Sequence, residues 1–235
     1  MTAAEPGGDA TRALSADEVI HFRRSIRRFL PTPVDAGIVR EILDLAARAP
    51  SGSNVQPWKV YALAGAEKEA LSQAVTEKYS RSGIDAEVEY YPKPWAEPWL
   101  SRRRRFAADL HALLGIAEDD EEGSTRQSIR NYRFFDAPVG LIFTVDRAFG
   151  SGMLLDYGMF LQTLMLAARA RGLDTCPQLA FARFQDTVRR SLGLPESERV
   201  VCGMALGHAD PDAPENRLRT ERVPAGAFTD FRGFD

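Results

Sequence analysis

The sequence has 235 residues, of which 44% are apolar, so it is long enough to bury a sizeable core as one large domain or two small ones. Thirty basic and 33 acidic residues leave a net charge of −3, a balance that does not favour a nucleic-acid-binding protein. Cys176 and Cys202 are too few for a disulfide framework, and the three histidines form no cluster that indicates a metal site. We expect both cysteines to be buried as small apolar side chains.

The N-terminal residues and the longest apolar run indicate where in the cell the protein resides. Residues 1–14 contain two glycines, acids and alanines but no apolar segment, so we expect a disordered tail and not a signal peptide. The longest apolar run, residues 159–168, is far shorter than the ~20 residues that a membrane-spanning helix needs. These features predict a cytoplasmic protein that does not enter a membrane.

Capping residues and apolar spacing divide the chain into short helices and strands. Ser15 and Glu18 have the spacing of a capping box, which predicts a first helix that ends near Arg24 or Ser25. Asp35 can cap a second helix, which carries an apolar face. The other predicted elements are a strand over 58–63, a helix over 66–79, a helix that ends near 114, a strand over 139–145, a helix over 184–192 and a strand over 200–206.

Residues 154–171 predict a long helix that is apolar nearly all round and that Gly172 can end. Such a helix must be covered on several sides, and we expect the sheet to cover one side and another subunit to cover a second. Helices outnumber strands, and the two types alternate irregularly along the chain. The α+β class therefore fits the pattern better than a doubly wound α/β fold.

Residues 80–135 differ in composition from the rest of the chain. Four aromatic residues and three prolines fall within residues 90–99, followed by four consecutive arginines at 102–105 and an acidic run at 118–122. We interpret this stretch as an elaboration of the domain, such as a lid, because linkers seldom contain so many aromatic residues. Packing within the insertion and stacking on an aromatic substrate explain the aromatic residues equally well. These residues are Tyr90, Tyr91, Trp95 and Trp99.

Two polar segments near the N-terminus have the chemistry of a ligand site. In residues 23–28, RRSIRR, two guanidinium forks and the Ser25 hydroxyl can converge on one phosphate. Basic residues at the end of a helix also suit its dipole, and this simpler interpretation is the commoner one for the segment alone. Residues 50–58, PSGSNVQPW, have the composition of a turn, and an ordinary connection from helix to strand would look the same.

Together, the two segments resemble the flavin-binding motifs of the nitroreductase family. Arg-x-Ser-x-Arg in that family corresponds to residues 23–27 here, and Pro-Ser-x-x-Asn-x-Gln-Pro-Trp corresponds to residues 50–58. Two later blocks agree, GLDTCPQLAF at 172–181 and GMALGH at 203–208 with LRTERVP at 218–224. The insertion resembles that of the nitrobenzoate-reductase branch. The resemblance implies a single FMN-binding domain over 15–235 with an insertion at about 80–135.

The resemblance also implies a fold, an assembly and a set of site residues. The fold would be α+β, with a mainly antiparallel sheet flanked by helices, in an intertwined homodimer with FMN at the interface. Arg23, Ser25 and Arg222 would hold the phosphate, and Arg27 would lie near flavin N1. The loop at 50–54 would reach the partner's flavin. The full cofactor-binding set is Arg23, Arg24, Ser25, Arg27, Pro50, Ser51, Gly52, Asn54, Gln178, Leu179, Ala180, Arg219 and Arg222, with the backbone at Leu179 and Ala180 near N5.

The implied activity is that of an FMN-dependent oxidoreductase that takes hydride from NADPH or NADH and reduces nitroaromatic compounds by a ping-pong mechanism. The flavin carries the chemistry, so no catalytic side chain is expected. Tyr91, Trp95 and Trp99 are candidate contacts of a small aromatic acceptor. Quinone or enone reduction, reductive dehalogenation and flavin storage remain alternatives, as does a regulatory module that binds phosphorylated ligands or RNA.

The four arginines at 102–105 have three interpretations. A solvated helix face is the commonest explanation of such a run. Ion pairs with the acidic run at 118–122 are the second, and a contact with the 2′-phosphate of NADPH is the third. The last would favour NADPH over NADH.

Overall fold

The computed structural model describes residues 14–85 and 91–234, and its centre is a four-stranded sheet. The strand order is β1-β2-β4-β3, and each neighbouring pair is antiparallel. The α+β class and the mainly antiparallel sheet are therefore confirmed. The strands are β1 (Lys59–Ala64), β2 (Val139–Asp146), β3 (Asp174–Gln178) and β4 (Glu198–Gly207).

Seven α-helices flank the sheet within the described residues. The predicted capping box is present, because the Ser15 hydroxyl accepts from the Glu18 amide and the Glu18 carboxylate accepts from the Ser15 amide. Asp35 caps the second helix by accepting from the Gly37 amide at 2.7 Å. The helices are α1 (Ala16–Phe22), α2 (Ala36–Ala46), α3 (Gly65–Ser82), α4 (Trp99–Leu114), α5 (Glu121–Arg130), α6 (Met153–Arg169) and α7 (Gln185–Leu192).

Two elements, β3 and α5, are missing from the sequence-based prediction. β3 has only five residues and contains Pro177, which has no amide to donate and is tolerated because the strand lies at the sheet edge. α5 begins inside the acidic run, where Asp120 accepts from the Gly123 amide at 2.7 Å and the carboxylates of the first turn suit the helix N-terminus. The acidic run therefore contains the N-cap and the first residues of α5.

The core lies on both faces of the sheet. Leu141 and Phe143 of β2 point to the face that α2 and α6 cover, and Ile142 points to the face that α3 and α7 cover. This alternation explains why β2 reads as a continuous apolar run, since both faces of a central strand are buried. Among residues 14–85 and 91–234, no helix combines the length and the apolar character that crossing a bilayer requires.

One side of α6 packs on the sheet and another side faces outward. Phe160 and Leu164 are buried against β2 and β4, whereas Leu154 is 48% exposed and Leu155 is 72% exposed. Gly172 follows the helix with φ at 72°, the left-handed backbone expected where a helix ends. The single chain thus covers only part of the apolar surface of α6.

Two glycines of the sheet make room for a pair of stacked rings. Phe134 and Phe181 lie 4.6 Å apart with ring planes at 22°. A Cβ atom at Gly140 would lie 2.7 Å from the Phe134 ring, and one at Gly203 would lie 2.4 Å from the Phe181 ring. The rings therefore rest directly on the backbone of β2 and β4. Phe134 adopts φ of 52° to do so, a conformation that bulky residues seldom take.

We expect Gly203→Ala to destabilise the protein because the new methyl group would collide with the fully buried Phe181 ring. Overpacking of this kind costs about 1–3 kcal/mol of unfolding free energy. Urea denaturation followed by circular dichroism measures the change. Gly150→Ala is the matched control, since no atom lies within 4 Å of the Cβ position there. Equal stability of the two variants would contradict the packing analysis.

Candidate functional site

A cavity of about 820 Å³ lies between residues 23–27, helix α4 and the segment 218–224. Its lining contains the Ser25 hydroxyl and only two carboxylates, those of Asp109 and Glu221. The fold thus brings together six predicted site residues from both ends of the chain. Seven arginines line the cavity: Arg23, Arg24, Arg27, Arg102, Arg105, Arg219 and Arg222. We call this space the arginine cavity.

Extended backbone places the first motif at the cavity. Helix α1 ends at Phe22, two or three residues before the predicted end, because the following chain pairs with β3. Ser25 forms a parallel bridge with Thr175, and the Ile26 amide donates to the Thr175 carbonyl at 3.0 Å. In extended chain alternate residues share a side. Ile26 is therefore fully buried while its neighbours line the cavity.

Arg27 is held at three points. Its amide donates to the Asn216 side-chain oxygen at 2.9 Å, and its guanidinium donates to the Ser25 carbonyl at 3.2 Å. The guanidinium also lies 5.1 Å from the centre of the Phe106 ring of α4, within cation–π range. These contacts orient the side chain across the cavity and leave several of its donors for a ligand.

Asn216 connects the C-terminal segment to the first motif, a role that the sequence analysis missed. Besides accepting from Arg27, its amide nitrogen donates to the Arg28 carbonyl at 2.8 Å and to the Asp210 carbonyl at 2.9 Å. The preceding residue, Glu215, is buried and pairs with Arg130 of α5. No local pattern marks these residues, because their partners lie up to 189 positions away.

The two arginines at the predicted phosphate position repel each other. Burial lowers the pKa of Arg23, and the nearby Arg222 guanidinium lowers it further, against a smaller opposite effect of Cys176. Arg222 donates to the Thr220 hydroxyl at 2.7 Å and to the Glu221 carbonyl at 2.9 Å. A phosphate between the two guanidiniums would offset their repulsion, since each can offer it charge-assisted hydrogen bonds.

The loop at 50–58 does not line the arginine cavity. It is exposed around Gly52, whose amide donates to the Asp156 carboxylate of α6 at 3.2 Å, and the Ser51 hydroxyl accepts from the Gln56 amide at 2.9 Å. Ser53 and Asn54 have φ of 49° and 58°. Such left-handed residues cost about 1–3 kcal/mol each and often occur at functional sites. The predicted residues Pro50, Ser51, Gly52 and Asn54 all lie in this loop.

Gln178 is the last residue of β3, the strand that also pairs with the first motif, and Leu179 and Ala180 follow it directly. Gln178 is buried, and its side-chain nitrogen donates to the Asn131 carbonyl at the end of α5. Leu179 and Ala180 are half-buried in the 3₁₀ turn that follows. They do not line the arginine cavity. Their backbone is positioned by the same edge strand as Ser25.

The insertion contributes α4 to the cavity, but the aromatic residues predicted to contact an acceptor lie elsewhere. Tyr91 and Trp95 pack with ring centres 5.1 Å apart, and the Arg103 guanidinium lies 5.0 Å from the centre of the Trp95 ring. Trp99 begins α4 and is largely exposed. None of these aromatic residues lines the cavity. Tyr90 lies outside the described residues.

The ion pairs of the insertion differ from the predicted ones. Arg105 makes a bidentate pair with Glu221, at 2.9 and 3.1 Å, and not with the acidic run. Within that run, Asp120 and Glu122 pair with Arg126 of α5. The acidic run pairs with Arg126 and not with residues 102–105, because α5 begins in that run and carries Arg126 one turn later. Arg105 instead links α4 to the segment 218–224.

Comparison with known proteins identifies the chain. A sequence model described as the Nitroreductase family matches residues 20–208. The chain belongs to the nitroreductase family. It is 45% identical to a 4-nitrobenzoate reductase of Pseudomonas putida, over 93% of this chain and 96% of that protein. It is 42% identical to a nitrobenzene nitroreductase of Ectopseudomonas oleovorans, over 92% and 96%.

Solved structures that resemble this chain are also nitroreductases. The FMN and NADPH-dependent nitroreductase NfnB from Sphigopyxis sp. strain HMH matches with a TM-score of 0.91 and 41% identity, over 94% of this chain and all of that one. The FMN-dependent NfnB of Mycobacterium smegmatis, solved with NADPH, matches at 0.88 and 32%, over 92% and 97%. The nitroreductase fold predicted from the motifs is therefore confirmed.

The two cysteines of this nitroreductase-family protein are buried, as predicted. Burial raises the pKa of Cys176 to about 11 and that of Cys202 to about 12, so both are protonated thiols at neutral pH. Neither thiol is therefore a nucleophile at neutral pH. Within residues 14–85 and 91–234, His, Cys, Asp and Glu residues form no group that could hold a metal ion.

We expect Asn216→Ala to loosen the C-terminal segment, since three hydrogen bonds to Arg27, Arg28 and Asp210 are lost in a buried place. Leaving such groups without partners costs about 1–3 kcal/mol per group. Hydrogen exchange followed by mass spectrometry should show faster exchange in residues 210–224, and the cavity depends on that segment. Asn131→Ala is the control, because its side chain makes a single local bond, to the Ser128 carbonyl. Unchanged exchange in Asn216→Ala would contradict the role.

Proposed function

We propose that the chain is an FMN-dependent NAD(P)H oxidoreductase that reduces nitroaromatic compounds. The arginine cavity carries this proposal, because it unites the first motif with Arg222 in a site suited to a phosphate. Relatives that match the chain over nearly their full length are a 4-nitrobenzoate reductase and a nitrobenzene nitroreductase. The matching NfnB structures are described as FMN-dependent, and one of them contains NADPH.

The residues of the cavity fit the phosphate end of FMN. Arg23, Ser25 and Arg222 offer guanidinium and hydroxyl donors, and Arg24 and Arg219 add positive charge to the same lining. Arg27 would lie beside flavin N1, where a fixed cation favours negative charge on the ring. The backbone at Leu179 and Ala180 would offer an amide near N5. When bound, FMN supplies the exchange of hydride that the side chains cannot.

A site that receives the donor first and the acceptor afterwards would give ping-pong kinetics. Tyr91, Trp95 and Trp99 are our candidates for the wall that meets a small aromatic acceptor. Trp99 begins α4, Tyr91 and Trp95 precede it, and later residues of the same helix line the cavity. We further propose one domain over 15–235, with the insertion as part of it, and a cytoplasmic location.

An intertwined homodimer would complete the site. The loop that carries Ser51, Gly52 and Asn54 lies apart from the arginine cavity of its own chain, so a second copy is needed to bring it to the flavin. Gly52 bonds to Asp156, and the neighbouring Leu154 and Leu155 are exposed on the same end of α6. An apolar surface beside a strained polar loop is suited to an interface between subunits.

The purified protein should be yellow, and its flavin absorbance should bleach when NADPH is added without oxygen. Subsequent addition of 4-nitrobenzoate should restore the colour. Arg222→Ala should retain less FMN, with affinity lowered roughly ten- to hundredfold, because a charge-assisted bond contributes ~1.5–3 kcal/mol. Arg104→Ala is the control, since this exposed arginine does not line the cavity.

Each other outcome has a definite meaning. Colourless protein that FMN cannot reconstitute would overturn the proposal. Stable colour that NADPH and NADH both fail to bleach would indicate flavin storage. Bleached protein that quinones or enones reoxidise and nitroarenes do not would replace the acceptor class while keeping the flavin site.

We expect Leu155→Arg to dissociate the proposed dimer, because it would place a charge in the exposed apolar surface that the second copy would cover. Stable dimer interfaces of this kind bury above ~2,000 Å², and sedimentation velocity separates dimer from monomer. The monomer should also lose FMN, since the loop of the second copy would be absent. Gln73→Arg, at an exposed position of α3, should leave the assembly unchanged. A wild-type monomer that retains FMN would contradict the dimer.

A further inference from the structure

The arginine cavity holds more positive charge than one phosphate group uses. Its lining has seven arginines and two carboxylates, and one of the arginines, Arg24, also interacts with the carboxylate of Asp174 outside the lining. The FMN phosphate would add only about two negative charges at neutral pH. Like charges in a partly buried site repel one another over several ångströms. The surplus cations would be stabilised by a second anion in the same cavity.

Two of the arginines lie on a different wall from the predicted phosphate residues. Arg102 and Arg105 lie on α4, three positions apart and hence on the same face of the helix. Ser101, Phe106 and Asp109 share this face and line the cavity with them. A second anion that binds here would therefore contact α4.

The positive charge of Arg105 is already balanced by nearby carboxylates. Its two terminal nitrogens bond to the two carboxylate oxygens of Glu221, and its Nε atom lies 3.9 Å from the Asp109 carboxylate. The pair neutralises Glu221, which would otherwise repel an anion beside Arg222. Arg105 thus removes a negative charge that would oppose anion binding, but its own charge is not available to the anion.

Of the two α4 arginines that line the cavity, Arg102 is the one that remains available. Within the described part of the chain, no side chain or carbonyl accepts a hydrogen bond or forms an ion pair with its guanidinium, although it lines the cavity. It lies one turn before Phe106, the ring that contacts Arg27, and three residues after Trp99, where α4 begins. Its exposed position is at the rim of the cavity, near the solvent.

We propose that Arg102 binds the 2′-phosphate of the nicotinamide donor and so makes the enzyme prefer NADPH to NADH. The proposal rests on the function proposed above. A guanidinium fork matches a terminal phosphate monoester better than it matches any other group of the dinucleotide. NADPH and NADH differ only in this phosphate, so a single arginine at the rim is enough to separate them.

The length of the ligand favours a dinucleotide over an acidic acceptor. The carboxylate of a nitrobenzoate is separated from its nitro group by one benzene ring, so it stays beside the flavin ring. The 2′-phosphate lies on the adenosine, at the opposite end of the donor from the nicotinamide. An exposed cation on α4, a different wall of the cavity from Arg23 and Arg222, is suited to the distal end of a long ligand.

The first test uses unreactive fragments of the donor. Calorimetry on the FMN-loaded dimer compares 2′,5′-ADP, which has the extra phosphate, with 5′-AMP, which lacks it. We expect Arg102→Ala to weaken 2′,5′-ADP binding about 10- to 100-fold, as loss of a charge-assisted bond does, and to leave 5′-AMP unchanged. Arg102→Lys should recover part of the affinity, because it keeps the charge without the fork.

Arg104→Ala is the matched control for this test. It removes the same charge from the same exposed helix, two residues away, at a position that does not line the cavity. Equal effects of Arg102→Ala and Arg104→Ala would overturn the proposal and show that Arg102 belongs to a solvated helix face. Loss of 2′,5′-ADP binding in Arg102→Ala alone would support it.

Steady-state kinetics separate the possible sources of the anion. Arg102→Ala should raise KM for NADPH by the same factor and leave KM for NADH and for 4-nitrobenzoate unchanged. An increase in KM for 4-nitrobenzoate, with none for nitrobenzene or NADPH, would overturn the proposal in favour of an acceptor carboxylate. Wild-type protein that NADH and NADPH bleach equally well would refute this inference alone, whereas protein that neither donor bleaches would refute the proposed function.

Discussion

The arginine cavity depends on the extended form of residues 23–27, which meet the edge of β3 through a backbone hydrogen bond from the Ile26 amide to the Thr175 carbonyl. In this extended form the side-chain period is two. Arg23, Ser25 and Arg27 then share one side, and Ile26 is buried on the other. The spacing Arg-x-Ser-x-Arg is therefore the spacing of a strand. A helix would separate the serine from both arginines.

The fold concentrates charge where this strand meets the C-terminal segment. Asn216 joins the two segments by hydrogen bonds to the backbone of Arg27 and Arg28. The neighbouring Glu215 pairs with Arg130 of α5 and so fixes the C-terminal segment. Repulsion between Arg23 and Arg222 opposes the contact between the two segments. The fold thus holds close together two guanidiniums that would separate in a flexible chain, and a phosphate bound between them would gain that preorganised charge.

The parts of the fold that follow from local sequence were predictable. The capping residues Ser15 and Asp35 and the buried strand β2 depend on neighbours in the chain, and all three agree with the structure. The parts of the fold that depend on residues distant in the chain could not be predicted from local sequence. β3 is short and contains Pro177, so only its pairing with β4 and Ser25 defines it. Asn216 and the Arg105–Glu221 pair join residues more than a hundred positions apart, which no local pattern reveals.

The loop at 50–58 combines a strained backbone with a place apart from the arginine cavity of its own chain. Three residues that are not glycine, Ser53, Asn54 and Gln56, have left-handed φ, which costs free energy unless the surroundings stabilise it. Within its own chain, the loop is held by Asp156 and by the Ser51 hydroxyl but remains exposed. Asp156 lies one residue from Leu155, so the polar loop and the exposed apolar end of α6 form one surface. A second copy that buried the leucines would order the loop in the same step, and assembly and cofactor binding would then be thermodynamically linked.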